Sequence, residues 1–387
     1  MAQSEVMEGR ALLGLPADGE GVLPSQALRR AIDLGMVDAG EFKVPSASIQ
    51  PASIDLHLGD VAYRIRCSFL PDRRPVEEHL RDFVVDELDI SRNGAVLETN
   101  RPYLIPLRER LSLPSDLRGK ANPKSSTGRL DVFTRVITDH GYRFDEVEAG
   151  YHGPLWLEVV PLSFTVRVRE GLALNQLRLS VGSARLTDAD IRRLHTREPL
   201  LLRDGAPLSD ADLATADGLF LALDLHGNDA GRVGHRAREF APPIEMSLVD
   251  HYSPDDYWDP IVREEGDRIV LAPGRFYLLL SEEAVRIPPG YAAEMAAYDP
   301  TSGELRTHYA GFFDPGFGYT AGLQGSRAAL EVRAHDVPFM IEHRQRVGKL
   351  TFERMVEEPE VLYGSGIGSS YQGQVDTLGK HFRRGAG

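Results

Sequence analysis

The chain is one unit written twice, and that constrains its fold more than any single motif. Arg101-Pro-Tyr-Leu-Ile105 is echoed by Arg275-Phe-Tyr-Leu-Leu279, 174 residues later. Leu113-Pro114 recurs as Ile287-Pro288 at the same interval. Ser125 and Arg129 pair with Ser302 and Arg306 at 177, and Leu157-Glu158-Val159 with Leu330-Glu331-Val332 at 173. Ser53-Ile-Asp55-Leu-His57 matches Ala222-Leu-Asp224-Leu-His226 at 169. Five matches in one order at nearly constant spacing outweigh the weakness of each. The period is far longer than the roughly 20–50 residues of solenoid repeats, so the chain reads as a duplicated domain. The expected organisation is a flexible N-terminal extension (1–20), a first domain (21–183), a second (184–362) and a Gly- and Ser-rich C-terminal arm (363–387).

Composition fits two globular domains. The 387 residues allow for two at roughly 100–200 each. No run of about 18 apolar residues crosses a membrane, and the acidic N-terminus lacks a signal-peptide pattern. With 44 basic against 58 acidic residues the net charge is −14, which speaks against a non-specific DNA or RNA binder. One cysteine, Cys67, forbids an intrachain disulfide and a multi-cysteine zinc site, and a cytoplasmic location is expected. The 37 Gly and 25 Pro suit short strands joined by turns. Each copy opens on a short helix: Ser25 is placed to cap Gln26–Leu34, and Thr187 to cap Asp188–Leu194. Alternating segments at Leu155–Val160, Thr165–Val168, Arg275–Leu280 and Ala328–Val332 read as strands. The expected fold class is therefore mainly β: two tandem barrel or jelly-roll-like domains with a few short helices.

Four constellations could carry chemistry. Lys124-Ser-Ser-Thr-Gly-Arg129 packs cations, hydroxyls and a glycine into six residues, a set able to hold phosphate oxygens; a solvated turn is the plain alternative. Glu158 stands between apolar neighbours, as does Glu331. A carboxylate there is costly unless paired or functional, and burial raises its pKa, which suits a general base; a buried ion pair is the alternative. Asp314-Pro-Gly-Phe317 is first of all a turn, with Asp145 to Tyr151 as its looser counterpart. Tyr363 and Ser370-Tyr-Gln-Gly-Gln374 could close over a ligand or form a polar tail. His57, His140, His226 and His308 form no metal-binding pattern, and the Cys pair of a zinc nucleobase deaminase is absent.

Together with Gln50-Pro-Ala-Ser-Ile-Asp-Leu-His-Leu-Gly59 and Gly150-Tyr-His-Gly153, these segments resemble the dCTP deaminases of the trimeric dUTPase-like superfamily. The resemblance covers most of both copies and implies dUTPase-like distorted β-barrels that assemble in threes, with sites between neighbouring domains, hence a homo-oligomer. It implies hydrolysis of dCTP to dUTP and ammonia without zinc, in pyrimidine deoxynucleotide (dUTP and dTTP) biosynthesis. Mg²⁺ would be held through the triphosphate, not by protein side chains, and dTTP is a candidate feedback inhibitor. Carried over by position, Glu158 would activate the water, with Ser125 and Arg129 orienting both; Glu331, Ser302 and Arg306 are the second-copy candidates. Lys124, Ser126, Thr127 and Gly128 would form the phosphate loop. Asp145 would lie near the deoxyribose or base, the backbone at Leu155 to Leu157, with Trp156 and Leu157 as nucleotide-binding residues, would read the base edge, and Asp314, Tyr363, Tyr371 and Gln374 would complete the nucleotide site.

The departures from the family pattern are specific. Lys124 and Ser370 replace the usual Arg and Lys. Copy one carries extra residues between Asp139 and Gly150, and the copy-two loop, Thr301-Ser-Gly-Glu-Leu-Arg306, lacks one serine and adds an acid. The better loop places the principal site in copy one, with Glu158 preferred over Glu331. Rival functions are a dUTPase-type diphosphatase or bifunctional enzyme using Asp139 or Asp314, a non-catalytic nucleotide-binding regulatory module, and a purely structural β-protein.

Overall fold

A computed structural model describes residues 8–227, 231–296, 305–307, 311–319, 324–334, 336–365 and 377–383. Strands dominate, with short helices between them, and the mainly-β expectation holds. In the first half, Tyr103–Ser112 and Val132–Thr138 flank His152–Pro161 in one antiparallel sheet, while Ile54–His57, Leu117–Pro123 and Ala173–Val181 build the facing one. The second half repeats the plan. Phe276–Val285 pairs with Ser326–Ala334, and Leu219–Ala222, Tyr291–Ala296 and Arg346–Arg354 form the opposite sheet. The duplication is visible in the register itself. Glu158 lies opposite Leu104, and Glu331 lies opposite Leu278.

Alternation builds the second core. In Ser326–Ala334, Ala328, Leu330, Val332 and Ala334 are buried, while Arg327, Ala329, Glu331 and Arg333 face outward. His152–Pro161 breaks the alternation: Leu155 to Val159 are all buried, so both faces are covered. The outer cover is a layer around the helix Val76–Phe83, where Val76 and Leu80 pack with Ile65, Leu104, Ile137 and Trp156.

The halves are interlocked. Residues 237–258 of the second half reach over the first barrel, and Ile244–Glu245 adds a parallel strand to Val166–Val168. Ile244, Met246, Tyr257, Trp258, Phe276 and Leu278 join the first core; each such burial stabilises by about 1.5–3 kcal/mol. The tail residue Phe382 inserts there too, edge-on to Tyr257 and Trp258 at 5.5 and 5.8 Å.

Several local expectations change. Residues 8–20 are docked rather than loose: Asp116 accepts from the N–H groups of Gly9 and Arg10 at 2.6 and 3.1 Å, and Leu13 is fully buried. Ser25 is the first helical residue of Ser25–Asp33, not its cap; Pro24 occupies the cap position without a side-chain bond. Thr187 does cap Asp188–Arg197, in a reciprocal capping box with Asp190. The arm's far end, residues 377–383, is packed rather than mobile, with Thr377, His381 and Phe382 buried.

Candidate active site

Between the two barrels lies a cleft open to solvent. The first half contributes the turn after the strand Leu117–Pro123: Lys124, Ser125, Ser126 and Arg129, with Asp55 beside them. The second half contributes Glu331 on the outward face of its strand, Asp314, and an apolar wall of Phe312, Phe313, Phe317 and Tyr363. Lys380 enters from the tail.

Helical hydrogen bonds shape the loop, with Gly128 and Arg129 N–H donating to the carbonyls of Lys124 and Ser125 at 3.0 Å each. Thr127 does not face the cleft. It is buried, and its hydroxyl donates to the Leu174 carbonyl at 2.9 Å, tying the turn to the barrel. Gly128 is the point of closest approach. A β-carbon placed there would lie 2.9 Å from both carboxylate oxygens of Glu331, so a larger residue would push that carboxylate aside. Arg129 donates to the Thr377 carbonyl at 3.2 Å and so joins the loop to the tail.

Electrostatics single out Glu331. Burial pushes its pKa up to about 8, against the opposing pull of Arg129 and with a further upward push from Asp131. Lys124 and Asp55 form a close ion pair at the cleft. Arg178 crosses from the first barrel to Asp314 at 3.2 Å and lies 3.9 Å from the centre of the Phe312 ring. Burial raises the Asp314 pKa, with Arg178 opposing. At Gly316 the turn has φ +93, which favours glycine and delivers Phe317 to the wall.

The expected base is not in this cleft. Glu158 is fully buried beneath the outer layer, and Arg135, directly opposite it on the neighbouring strand, donates to Oε1 at 2.5 and 3.2 Å. Arg135 is held in turn by Phe144 and Phe133, 3.7 and 4.7 Å from their ring centres. The copy-one glutamate has become half of a structural ion pair. Trp156 packs with Val76 and Leu80, and Leu157 lies in the first core, so neither side chain reaches the cleft. Asp145 is also displaced from its expected place. It sits at φ +62 and accepts from the Val136 N–H at 2.8 Å, a turn-forming role; burial raises its pKa to about 7. Asp139 likewise serves the fold, accepting from the Val76 N–H at 2.8 Å. Ser302, Tyr371 and Gln374 fall outside the described residues, as does the side chain of Arg306.

Two family descriptions match in tandem: the N-terminal domain of 2'-deoxycytidine 5'-triphosphate deaminase over residues 19–183, and its C-terminal domain over 187–382. The chain belongs to the dCTP deaminase family. A dCTP deaminase of Natronomonas pharaonis is 32% identical over 196 residues, 49% of this chain and 90% of the relative. A "dCTP deaminase, dUMP-forming" of Halobacterium salinarum is 31% identical over 180 residues, 44% of this chain and 86% of its own. The crystal structure of the Agrobacterium tumefaciens 2'-deoxycytidine 5'-triphosphate deaminase superposes with a TM-score of 0.84 at 43% identity, covering 90% of this chain and all of that one.

Within this dCTP deaminase frame, several residues at the cleft escaped the sequence reading of the site, among them Asp55, Arg178, Arg327, Lys380 and the aromatics Phe312 and Phe313. Asp55 was visible inside the first motif but carried no assigned role. Arg178 and Lys380 had no local signal, because what makes them cleft residues is contact between segments far apart in the chain. Among the described histidines His57 is structural, while His140 and His226 lie at the surface. His57 Nδ1 lies 2.6 Å from buried Glu109. Asp224, His226 and His343 cluster, but His343 Nδ1 accepts the Leu225 N–H and Arg327 pairs with Asp224.

Proposed function

We propose that the inter-barrel cleft deaminates dCTP with Glu331 as the general base, in place of the expected Glu158. Membership of the family makes the chain a hydrolase of a cyclic amidine C–N bond, and dCTP deamination belongs to pyrimidine nucleotide biosynthesis. The observation that carries the assignment is the Glu331 carboxylate set against Gly128 of the Ser125–Arg129 loop.

The chemistry follows from the groups present. Lys124, Ser126 and Lys380 supply charge and hydroxyl for the triphosphate, while the Phe312, Phe313, Phe317 and Tyr363 wall takes sugar and base. Ser125 and Arg129 orient a water beside Glu331. Ionised Glu331 removes a proton from that water as its oxygen bonds to the ring carbon bearing the amino group. Glu331 passes that proton to the adjacent ring nitrogen, giving a tetrahedral centre. Glu331 then takes the proton of the new hydroxyl and delivers it to the amino group; the C–N bond breaks, the new C–O bond becomes a carbonyl, and ammonia leaves with dUTP behind. A pKa near 8 suits a group that must both take and return a proton close to neutral pH.

Magnesium would arrive on the triphosphate. The donor set fits it: Asp55 is a hard oxygen donor beside Lys124, and its Oδ1 is buried without a hydrogen-bond partner. Asp55 would hold the water shell of the ion, which screens phosphate charge; the proton transfers stay with Glu331, and no zinc takes part. A homo-oligomer, a cytoplasmic location and dTTP feedback belong to the same proposal. No helix among the described residues is long and apolar enough to cross a membrane.

The test is incubation with dCTP and Mg²⁺, with and without chelator, followed by nucleotide chromatography. Expected products are dUTP and ammonia, with Mg²⁺ restoring any loss. Restoration by zinc alone contradicts the proposal. The Halobacterium salinarum relative's printed name, dUMP-forming, gives a second reading, for which pyrophosphate release is the signature.

A further inference from the structure

We propose that the ion pair between Asp131 and Arg333 is the positioning device that holds Glu331 against the Ser125–Arg129 loop. The inference rests on Glu331 being the base.

Both partners are tied directly to that contact. Asp131 closes the loop: its N–H donates to the Gly128 carbonyl at 2.8 Å, and its φ of +56 turns the chain there. Arg333 stands two residues after Glu331 in the same strand, so both project from one face. Arg333 reaches across the barrel boundary to both oxygens of Asp131, which is fully buried. Ser163 completes a triangle, donating to Asp131 Oδ2 at 2.5 Å and accepting from Arg333 at 3.2 Å. Arg333 also bonds the Gly274 carbonyl, which fixes its free end. The two residues are 202 positions apart, so the pair is a true inter-barrel strut.

A buried pair of this kind gives little net stability, because desolvation offsets attraction; its best-attested use is to fix register. Here the register is the one at which Gly128 meets Glu331. The pair is also a local dipole near the base. Asp131 raises the Glu331 pKa, and Arg333 is its ion-pair partner. The other charges facing Glu331 are Arg129, which lowers its pKa, and at the cleft Lys124, Asp55, Asp314, Lys380 and Arg327. None of these is altered by changing the strut.

The test is the pH dependence of kcat/KM for dCTP in the full-length chain. Asp131→Asn leaves the Arg333 charge uncompensated, so the acid limb moves to lower pH. Arg333→Gln leaves Asp131 uncompensated, so the limb moves to higher pH, each by roughly 0.5–1 unit. The double variant returns the limb to near its original position. In all three, kcat at the optimum falls about tenfold while KM stays within about threefold. Arg333→Lys, which keeps the charge, restores the original limb and serves if a neutral variant fails to fold. Limbs that stay put, or move the same way in both single variants, overturn the strut. Glu331→Gln separates the two levels: full turnover there removes the base assignment itself, whereas loss of turnover with unmoved limbs removes only the strut.

Discussion

Glu158 and Glu331 occupy the same place in two copies of one barrel, opposite Leu104 and Leu278, yet they have opposite environments. The face around Glu158 is covered by the layer carrying Val76 and Leu80, and its charge is answered by Arg135. The face around Glu331 is turned to the other barrel, where its carboxylate sits against a glycine in a polar loop. A duplicated carboxylate thus becomes a structural counter-ion or the proposed base according to what covers it. The lesson concerns packing: strand position fixes where the carboxylate points, and the covering layer fixes its chemistry.

That contrast breaks most readily at Gly128. Gly128→Ala adds a methyl group against the Glu331 carboxylate at a backbone conformation that alanine adopts without strain. The expected result is a fall in kcat of about 100-fold, the cost of roughly 1 Å of displacement, with folding intact by circular dichroism. Unchanged kcat would show that the close approach is not needed. A smaller effect is expected on the silent side. Glu158→Gln leaves Arg135 without its counter-charge and lowers stability by about 1–3 kcal/mol in denaturant unfolding, while turnover stays within a few-fold. The subtlest difference is in pH-dependent stability. The Glu331 pKa rises from 4.5 to about 8 on folding, so its favourable contribution is complete below pH 4.5 and is lost as pH rises through 8. Glu331→Gln removes that titration. Its melting temperature gains on the parent between about pH 5 and pH 8 and not below.

Much of this was legible in the sequence. The near-constant interval between repeated segments pointed to a duplicated barrel, and Thr187 was recognisable as the cap of a helix that the structure contains. The Ser125–Arg129 loop and Asp314 were recognisable from residue types alone, and both line the cleft. The choice between the two glutamates was not legible. It depends on Arg135 lying directly opposite Glu158 and on the layer around the helix Val76–Phe83 that covers it, facts of register and packing with no local pattern. Lys380 escaped for a similar reason: it reaches the cleft because Phe382, two residues on, is seated in the first core. The Asp131 and Arg333 strut joins residues from different copies, and periodicity within either copy is silent about it.

The central claim is that the reacting carboxylate belongs to the second barrel and its loop to the first. Steady-state release of ammonia from dCTP by Glu331→Gln, measured beside Glu158→Gln under the same conditions, tests it most directly. The account predicts a loss of about 10²–10⁴-fold in kcat for the first and near-parental turnover for the second. The reverse pattern, with Glu331→Gln active and Glu158→Gln dead in a folded protein, would contradict it.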